Sequence, residues 1–319
     1  MLRSFLIYLS KAGWAQRLVT SRRFAWRAAS RFVAGNNVQG AIQAAVGLER
    51  KGIHASLNHL GEFIGSTDKA VTATEAILEL LDQIEVNGTH ANVSIKLTQV
   101  GLGVDEDLCT QNLERILSRA GQDHNFVRID MEDTPYTDKT IRQYRRVRSK
   151  GFENLGLVLQ AYLYRTEKDL RELVSEGARL RLVKGTYKEP PHLAFPKKAD
   201  VDANYDRLAQ ILIDGALAAG APRLSADGRV PPLPAIASHD ERRLAFARSY
   251  AAEVGLPQDA LEFQMIYGIR RDLQEKYREE GYPLRVYVPY GTHWYPYFMR
   301  RLAERPTNLW FFLSNLFRK

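Results

Sequence analysis

From about residue 53 onward two periodicities alternate along the chain. Short apolar runs of β type span Ile53 to Asn58, Asn92 to Leu97, Phe126 to Met131, Leu155 to Ala161, Arg179 to Lys184, Leu233 to Ala237, Leu261 to Ile266 and Leu284 to Val288. Between them lie longer stretches with helical spacing of apolar residues, such as Thr67 to Ile84 and Glu106 to Arg119. The first of these opens with a Ser/Thr cap and acids, as helix starts do. Two or three helical stretches, 4–12, 14–34 and 37–51, precede the first strand, and Gly35-Asn36-Asn37 reads as a stop.

Strands that alternate with helices predict an α/β fold with a parallel sheet covered on both faces. Eight units starting at residue 53 occupy a length close to the roughly 250 residues of a (βα)8 barrel. A doubly wound sheet is the competitor, and it normally carries a Gly-rich phosphate turn after its first strand. Leu57 to Phe63 offers only Gly61, and Gly101-Leu102-Gly103 lacks the third glycine. A P-loop nucleotidase is excluded, because no GxxxxGK[ST] occurs. The expected organisation is a helical segment over 1–50, a (βα)8 catalytic domain over 51–308 and an apolar, basic tail over 309–319.

Composition changes the picture in three ways. With 45% hydrophobic residues in 319, the chain can bury a real core, which rules out disorder. Cys109 is the single cysteine, so a disulfide framework and CxxC-type sites are excluded and a reducing compartment is favoured. No run of about 18 uncharged apolar residues is present, so nothing is expected to span a membrane.

The net charge of +8 is concentrated at the ends. Residues 1–48 hold seven basic groups (Arg3, Lys11, Arg17, Arg22, Arg23, Arg27, Arg31) and no acid, and residues 285–319 hold six against Glu304 alone. Such ends either meet a negative partner, phospholipid or nucleic acid, or are simply solvated helix faces. No RNP-like, helix-turn-helix or zinc-finger pattern supports nucleic acid. The Arg-rich start imitates a mitochondrial transit peptide, but the stop at 35–37 followed by more helix argues against one.

In a barrel, chemistry belongs at the C-terminal strand ends. Those ends are polar: Glu62; Lys96; Asp130 and Glu132; Gln160; Arg181 and Lys184; Ser238 and His239; Gln264 and Tyr267; Tyr287 and Tyr290. One polar strand residue is most often a structural ion pair, whereas eight strands contributing together point to a site. The last helix carries Tyr297, Arg300, Arg301 and Glu304 at i, i+3, i+4 and i+7, one face that can lie over the barrel mouth. Paired guanidinium forks suit a carboxylate. Tyr287, Tyr290, Tyr295 and Tyr297 add aromatic walls, which fits a small amphipathic acid. No nucleophile elbow and no HxxxH metal spacing occur, so a borrowed organic cofactor is expected and no metal.

The strings SIKLTQVG (94–101), DMED (130–133), LVLQAY (157–162), RLVKGTY (181–187), ASHD (237–240), EFQMIYG (262–268) and VYVPYGTHWYPYFMRRLAER (286–305) resemble the proline dehydrogenase family in its stand-alone bacterial form. The resemblance covers roughly residues 40–310. It implies a distorted (βα)8 TIM barrel with a C-terminal helix over its mouth, holding FAD and oxidising L-proline to Δ1-pyrroline-5-carboxylate. Electrons are expected to pass to a membrane quinone, and product to a pyrroline-5-carboxylate dehydrogenase. The implied location is cytoplasmic, peripheral on the inner face of the cytoplasmic membrane.

Carried over by motif, the resemblance implies Asp130, Arg181 and Lys96 as catalytic residues. Arg300 and Arg301 are implied to bind the carboxylate, joined at the substrate by Lys96, Tyr287, Tyr297, Glu304 and Glu62, with Glu62 pairing Arg300 as a gate. Met131, Gln160, Arg181, Lys184, Gly185, Thr186, Ser238 and His239 are implied to contact FAD. Lys96 and a water are equal candidates for the amine proton. Tyr287, absent from hydroxyproline-preferring members, implies a preference for proline. Val201-Asp202 stands where many relatives have Thr-Asp. The tail Leu309 to Leu313, with Leu316, Phe317, Arg318 and Lys319, is too short to span a bilayer; it either lies in an anionic interface or packs on the barrel. Another flavin barrel, such as a methylenetetrahydrofolate reductase, is the alternative enzyme, and a basic scaffold the alternative without chemistry.

Overall fold

A computed structural model describes residues 6, 8, 9, 12–20, 26, 27, 29–187 and 189–304, without the side chains of 17–20, 303 and 304. Eight strands, β1 (His54–His59), β2 (Asn92–Lys96), β3 (Val127–Asp130), β4 (Leu155–Gln160), β5 (Arg179–Val183), β6 (Pro234–Ala237), β7 (Glu262–Ile266) and β8 (Leu284–Tyr290), pair in sequence order into a closed barrel. Every pairing is parallel, and β1 closes on β8 from His54 opposite Arg285 to His59 opposite Tyr290. Each strand lies within two residues of its expected run.

Helices α1 (Gly13–Thr20) and α2 (Val38–Glu49) precede the barrel. The connections carry α3 (Thr67–Val86), α4 (Glu106–Gln122), α5 (Thr134–Arg148), α6 (Thr166–Ser175), α7 (Lys198–Ala218), α8 (Glu241–Glu253) and α9 (Arg271–Glu279), and α10 (Trp294–Glu304) follows β8. The stop at 35–37 is a helix start as well, for Asn37 accepts a bond from the Gly40 amide at 3.1 Å and caps α2. The single helix expected over 14–34 does not continue past a turn at 30–32. Ser66 precedes α3 but makes no side-chain cap; Asp68 supplies the acidic first turn that favours the positive helix end.

Alternation along each strand separates two environments. Outward residues such as Leu57, Ile95, Ile129, Leu157, Leu182, Phe263 and Val286 are buried beneath the helices. Each such side chain contributes roughly 1.5–3 kcal/mol by leaving water. Inward positions are polar to an unusual degree: Ser56, Ser94, Arg128, Asp130, Arg181, Glu262, Gln264 and Arg285 are all buried. Gly156 makes room for Arg128, since a Cβ there would meet the Arg179 carbonyl at 2.3 Å and Arg128 Nη1 at 2.6 Å.

The N-terminal segment straps α10 onto the barrel. The Ala34 amide donates to the Pro289 carbonyl at 2.9 Å, and Gly291 N–H to the Gly35 carbonyl at 2.8 Å. Ala29, Phe32 and Val33 pack with Leu60, Ile269, Trp294, Phe298, Met299 and Leu302. Gly268, at φ +74°, admits this strap, because a Cβ would lie 1.8 Å from the Arg31 carbonyl oxygen. The tail at 309–319 and the stretch at 21–25 lie outside the described residues, as do Arg3, Lys11, and the Arg17 side chain.

Candidate active site

Asp130 ends β3 directly beside Lys96 at the end of β2. Its Oδ2 accepts from Lys96 Nζ at 3.0 Å and from the Tyr287 hydroxyl at 2.8 Å, while Oδ1 accepts from Arg181 Nη1 at 2.9 Å. Arg181 is held from below, donating through Nε to Gln264 Oε1 at 2.5 Å and through Nη2 to Ser94 Oγ at 3.0 Å. Its guanidinium also lies 5.5 Å from the Tyr287 ring centre. Three strands, β2, β5 and β8, therefore send donors to the one carboxylate of β3.

Charge sets the protonation of this cluster. Burial alone would raise the Asp130 carboxyl, but the Lys96 and Arg181 cations outweigh it and hold the group below the usual carboxylate range. Burial works against the Lys96 ammonium, yet Asp130 pushes its pKa above the ordinary lysine value. Burial, reinforced by Asp130, drives Tyr287 far up. At neutral pH the cluster is an ammonium, a guanidinium and a carboxylate around a neutral phenol.

Beneath it the polar chain continues to the closed end of the barrel. Gln264 Nε2 donates to Glu262, whose carboxylate is paired with Arg285 at 2.9 Å, both side chains essentially inaccessible. Arg285 also donates to the Ala55 carbonyl at 3.1 Å and the Gly228 carbonyl at 2.7 Å.

Above the cluster lies the face of α10. Tyr297, Arg300 and Arg301 line a cavity of about 920 Å³ together with Lys96, Asp130, Arg181 and Tyr287. Arg300 is paired with Glu62, Nη1 to Oε1 at 2.5 Å and Nη2 to Oε2 at 3.2 Å. The Arg301 guanidinium lies 5.3 Å from the Tyr297 ring centre. Phe298, Met299 and Leu302 face the strap instead, so both sides of this helix are buried.

Met131, Gln160, Lys184, Gly185, Thr186, Ser238 and His239 line the same cavity, as do Lys198, Arg242 and Arg270. Gln160 Nε2 donates to the Glu132 carbonyl at 2.8 Å, which fixes its amide. Gly185, at φ +104°, is the residue that lets this loop pass Tyr162, whose ring a Cβ would meet at 2.1 Å. Lys184 pairs with Asp202 at 2.5 Å and with Asp240 at 2.6 Å. His239 Nε2 accepts from the Ile266 amide at 2.9 Å, placing a neutral imidazole's proton on Nδ1.

Most of the sequence-expected residues thus meet at one cavity, but Glu62, Glu132, Tyr267, Tyr290 and Tyr295 do not line it, and Glu62 is joined to it through its bond to Arg300. Tyr290 faces away and packs against His59, ring centres 5.2 Å apart. Tyr295 points into the strap and donates to the Leu9 carbonyl at 3.0 Å. The aromatic wall is therefore Tyr287 and Tyr297, not four tyrosines, because residues 290 and 295 fall on the wrong side of strand and helix. The Glu304 side chain lies outside the described residues. Tyr187 also lines the cavity, and its place in the string RLVKGTY is the signal the sequence holds for it. Among the described residues no group of three or more His, Cys, Asp and Glu is arranged to hold a metal.

A closed parallel (βα)8 barrel with its charged cavity at the C-terminal strand ends defines a barrel enzyme. Residues 41–312 match the family model for proline dehydrogenase. The chain belongs to the proline dehydrogenase family and is an enzyme of that activity, with proline as substrate. It is 39% identical to proline dehydrogenase 2 of Bacillus subtilis, covering 99% of each chain. It is 42% identical to proline dehydrogenase of Deinococcus radiodurans over 93% of this chain and 92% of that one. Proline utilization A of Bdellovibrio bacteriovorus, solved after inactivation by N-propargylglycine, shares the fold: TM-score 0.78, 24% identity, 88% of this chain and 33% of that one. The chain spans about one third of that structure's length.

Proposed function

We propose that the chain oxidises L-proline to Δ1-pyrroline-5-carboxylate with FAD held in this cavity. The observation that carries this reading is the Asp130 cluster facing Arg300 and Arg301 across one continuous cavity. Its volume of about 920 Å³ is far more than one amino acid needs. The lining suits a dinucleotide: Met131 and the fixed Gln160 amide lie near the cluster, with the Lys184–Thr186 loop, Ser238 and His239 beyond and the cations Lys198 and Arg242 at the outer end. FAD, when bound, would supply the acceptor for the hydride that leaves the carbon next to the ring nitrogen.

The protein's own groups do the rest. Arg300 and Arg301 grip the proline carboxylate through paired donors. Tyr287 and Tyr297 pack on the ring. The surplus of cations favours the neutral amine, the form from which hydride can leave. Lys96, held protonated by Asp130, is a cation and not a base, so the amine proton passes to water. Arg181, at the inner end, offsets the negative charge that reduction adds. Glu62 gates the mouth through its bond to Arg300. Acid extraction and chromatography of the purified protein test the cofactor: about one FAD per chain supports the reading, and none after incubation with FAD contradicts it.

Electrons then pass to a membrane quinone, with the protein peripheral on the inner face of the cytoplasmic membrane and its product taken by a pyrroline-5-carboxylate dehydrogenase. Exposed Tyr8 and Trp14 on the basic N-terminal segment support an interfacial contact. No described helix is long and apolar enough to cross a membrane. The relative of Escherichia coli called bifunctional protein PutA, 26% identical over 87% of this chain and 23% of that one, supports a coupled second step. Flotation with anionic liposomes tests the contact; protein that stays at the bottom removes it.

A further inference from the structure

The motif SIKLTQVG contains two residues that the proposed reaction does not use, Thr98 and Gln99, both fully buried just beyond β2. Glu132, in the motif DMED, is likewise fully buried and does not line the cavity. Thr98 and Gln99 meet the loop that carries Glu62, and Glu132 holds Thr98. Glu132 takes both donors of Thr98, the amide on Oε2 at 3.1 Å and the hydroxyl on Oε1 at 2.5 Å. Thr98 in turn accepts two consecutive amides of the loop, Phe63 N–H on Oγ1 at 3.0 Å and Ile64 N–H on its carbonyl at 3.3 Å.

The direction of these bonds follows from the groups. A backbone amide can only donate, so Thr98 Oγ1 accepts from Phe63, and with Glu132 ionised its single proton goes to that carboxylate. A hydroxyl that donates to a carboxylate is a better acceptor for the amide behind it. Phe63 needs such a hold: its φ of +53° is left-handed, a conformation that a bulky residue rarely adopts unless its surroundings impose it. The side chain is 46% exposed and meets the Tyr136 ring with centres 6.0 Å apart, so the two amide bonds to Thr98 are the buried part of that hold. On the other side of the loop, Gln99 Nε2 donates to the His59 carbonyl at 3.1 Å and passes so close to Gly61 that a Cβ there would meet it at 2.9 Å. Glu62 lies between these two anchors, and its carboxylate holds Arg300.

We infer that Thr98, oriented by the buried Glu132, is a positioning residue that fixes the loop of Glu62 and through it the Glu62–Arg300 pair over the substrate. Thr98 touches neither the cavity nor Arg300. Its effect on proline must therefore pass through Glu62. The inference rests on the proposed gate, and the two can be tested apart.

Thr98→Val keeps the shape and removes the hydroxyl, and Thr98→Ser keeps the hydroxyl. In the holoenzyme, Thr98→Val is expected to raise the KM for proline about tenfold while kcat changes less than about twofold, with Thr98→Ser near the parent. Placed on Glu62→Ala, Thr98→Val is expected to add less than about twofold to KM, because the residue it positions is gone. If Glu62→Ala raises KM but Thr98→Val does not, or if the two effects multiply, the positioning role is overturned and the gate stands. If Glu62→Ala leaves KM unchanged, the gate itself has failed. Hydrogen exchange on the parent protein decides the matter even if Thr98→Val does not fold. The Phe63 and Ile64 amides are expected to exchange at least about tenfold more slowly than exposed Gly65, and equal rates overturn the inference.

Discussion

Asp130 and Tyr287, 157 positions apart, share a 2.8 Å hydrogen bond across the barrel mouth, with the phenol donating to the carboxylate. The bond fixes the Tyr287 ring at the edge of the cavity, where Arg181 lies 5.5 Å from its centre. In the proposed site this fixed ring packs beside the proline ring and disfavours an added polar group there.

Tyr287→Ser is therefore expected to raise the ratio of kcat/KM for 4-hydroxyproline over proline by roughly tenfold, since pocket contacts of this size discriminate by about 1–3 kcal/mol. Steady-state kinetics with both substrates provide the check. An unaltered ratio removes Tyr287 from substrate choice.

The Glu62–Arg300 pair fixes the guanidinium that, in the proposed function, binds the proline carboxylate. Glu62→Ala frees that guanidinium, so the KM for proline should rise about tenfold, the worth of roughly 1.4 kcal/mol of lost preorganisation. Titration with proline measures it, and an unchanged KM contradicts the gate.

Much of this was legible in the sequence, and the reason is local. Each strand is a short apolar run bounded by turn chemistry, so the eight runs and their order were visible without knowledge of their partners. Lys96, Asp130, Arg181 and Tyr287 stood out because each is a polar residue at the end of such a run. Their convergence on one carboxylate depended on barrel closure, which no local pattern encodes. Tyr290 and Tyr295 were misplaced because a strand end and a helix start were read as one surface, whereas their side chains leave on the far side. Thr98 and Glu132 were invisible as a pair, for only the fold brings β2 and β3 ends together over the Glu62 loop.

At the closed end of the barrel, Glu262 and Arg285 are a fully desolvated pair. Glu262→Ala leaves the Arg285 cation buried and unpaired, which is expected to cost about 3–5 kcal/mol of stability. Because Glu262 also orients Gln264, and Gln264 holds Arg181, kcat should fall as well. Denaturant unfolding and steady-state assays of this variant test both effects; parental stability would contradict the role given to the pair.

His54 sits beside this pair, and burial, helped by the nearby Arg285 cation, lowers its pKa from 6.5 to about 4. The unfolded chain thus binds a proton that the folded one refuses. The stabilising contribution is full above pH 6.5 and is lost as pH falls toward 4. Glu132, raised by burial to about 7, works in the opposite sense, its contribution being lost as pH rises through that value. The difference between parent and His54→Asn isolates the histidine: relative to the variant, the parent should lose stability between pH 6.5 and 4. Parallel stability curves would show that His54 does not titrate with folding.

The central claim is that proline, gripped by Arg300 and Arg301, gives a hydride to a flavin held in the same cavity. An anaerobic visible spectrum of the purified protein before and after L-proline tests it most directly. A flavin spectrum that bleaches on addition of proline is the predicted result. A flavin that stays oxidised, or a protein that takes up no flavin when FAD is supplied, would contradict it.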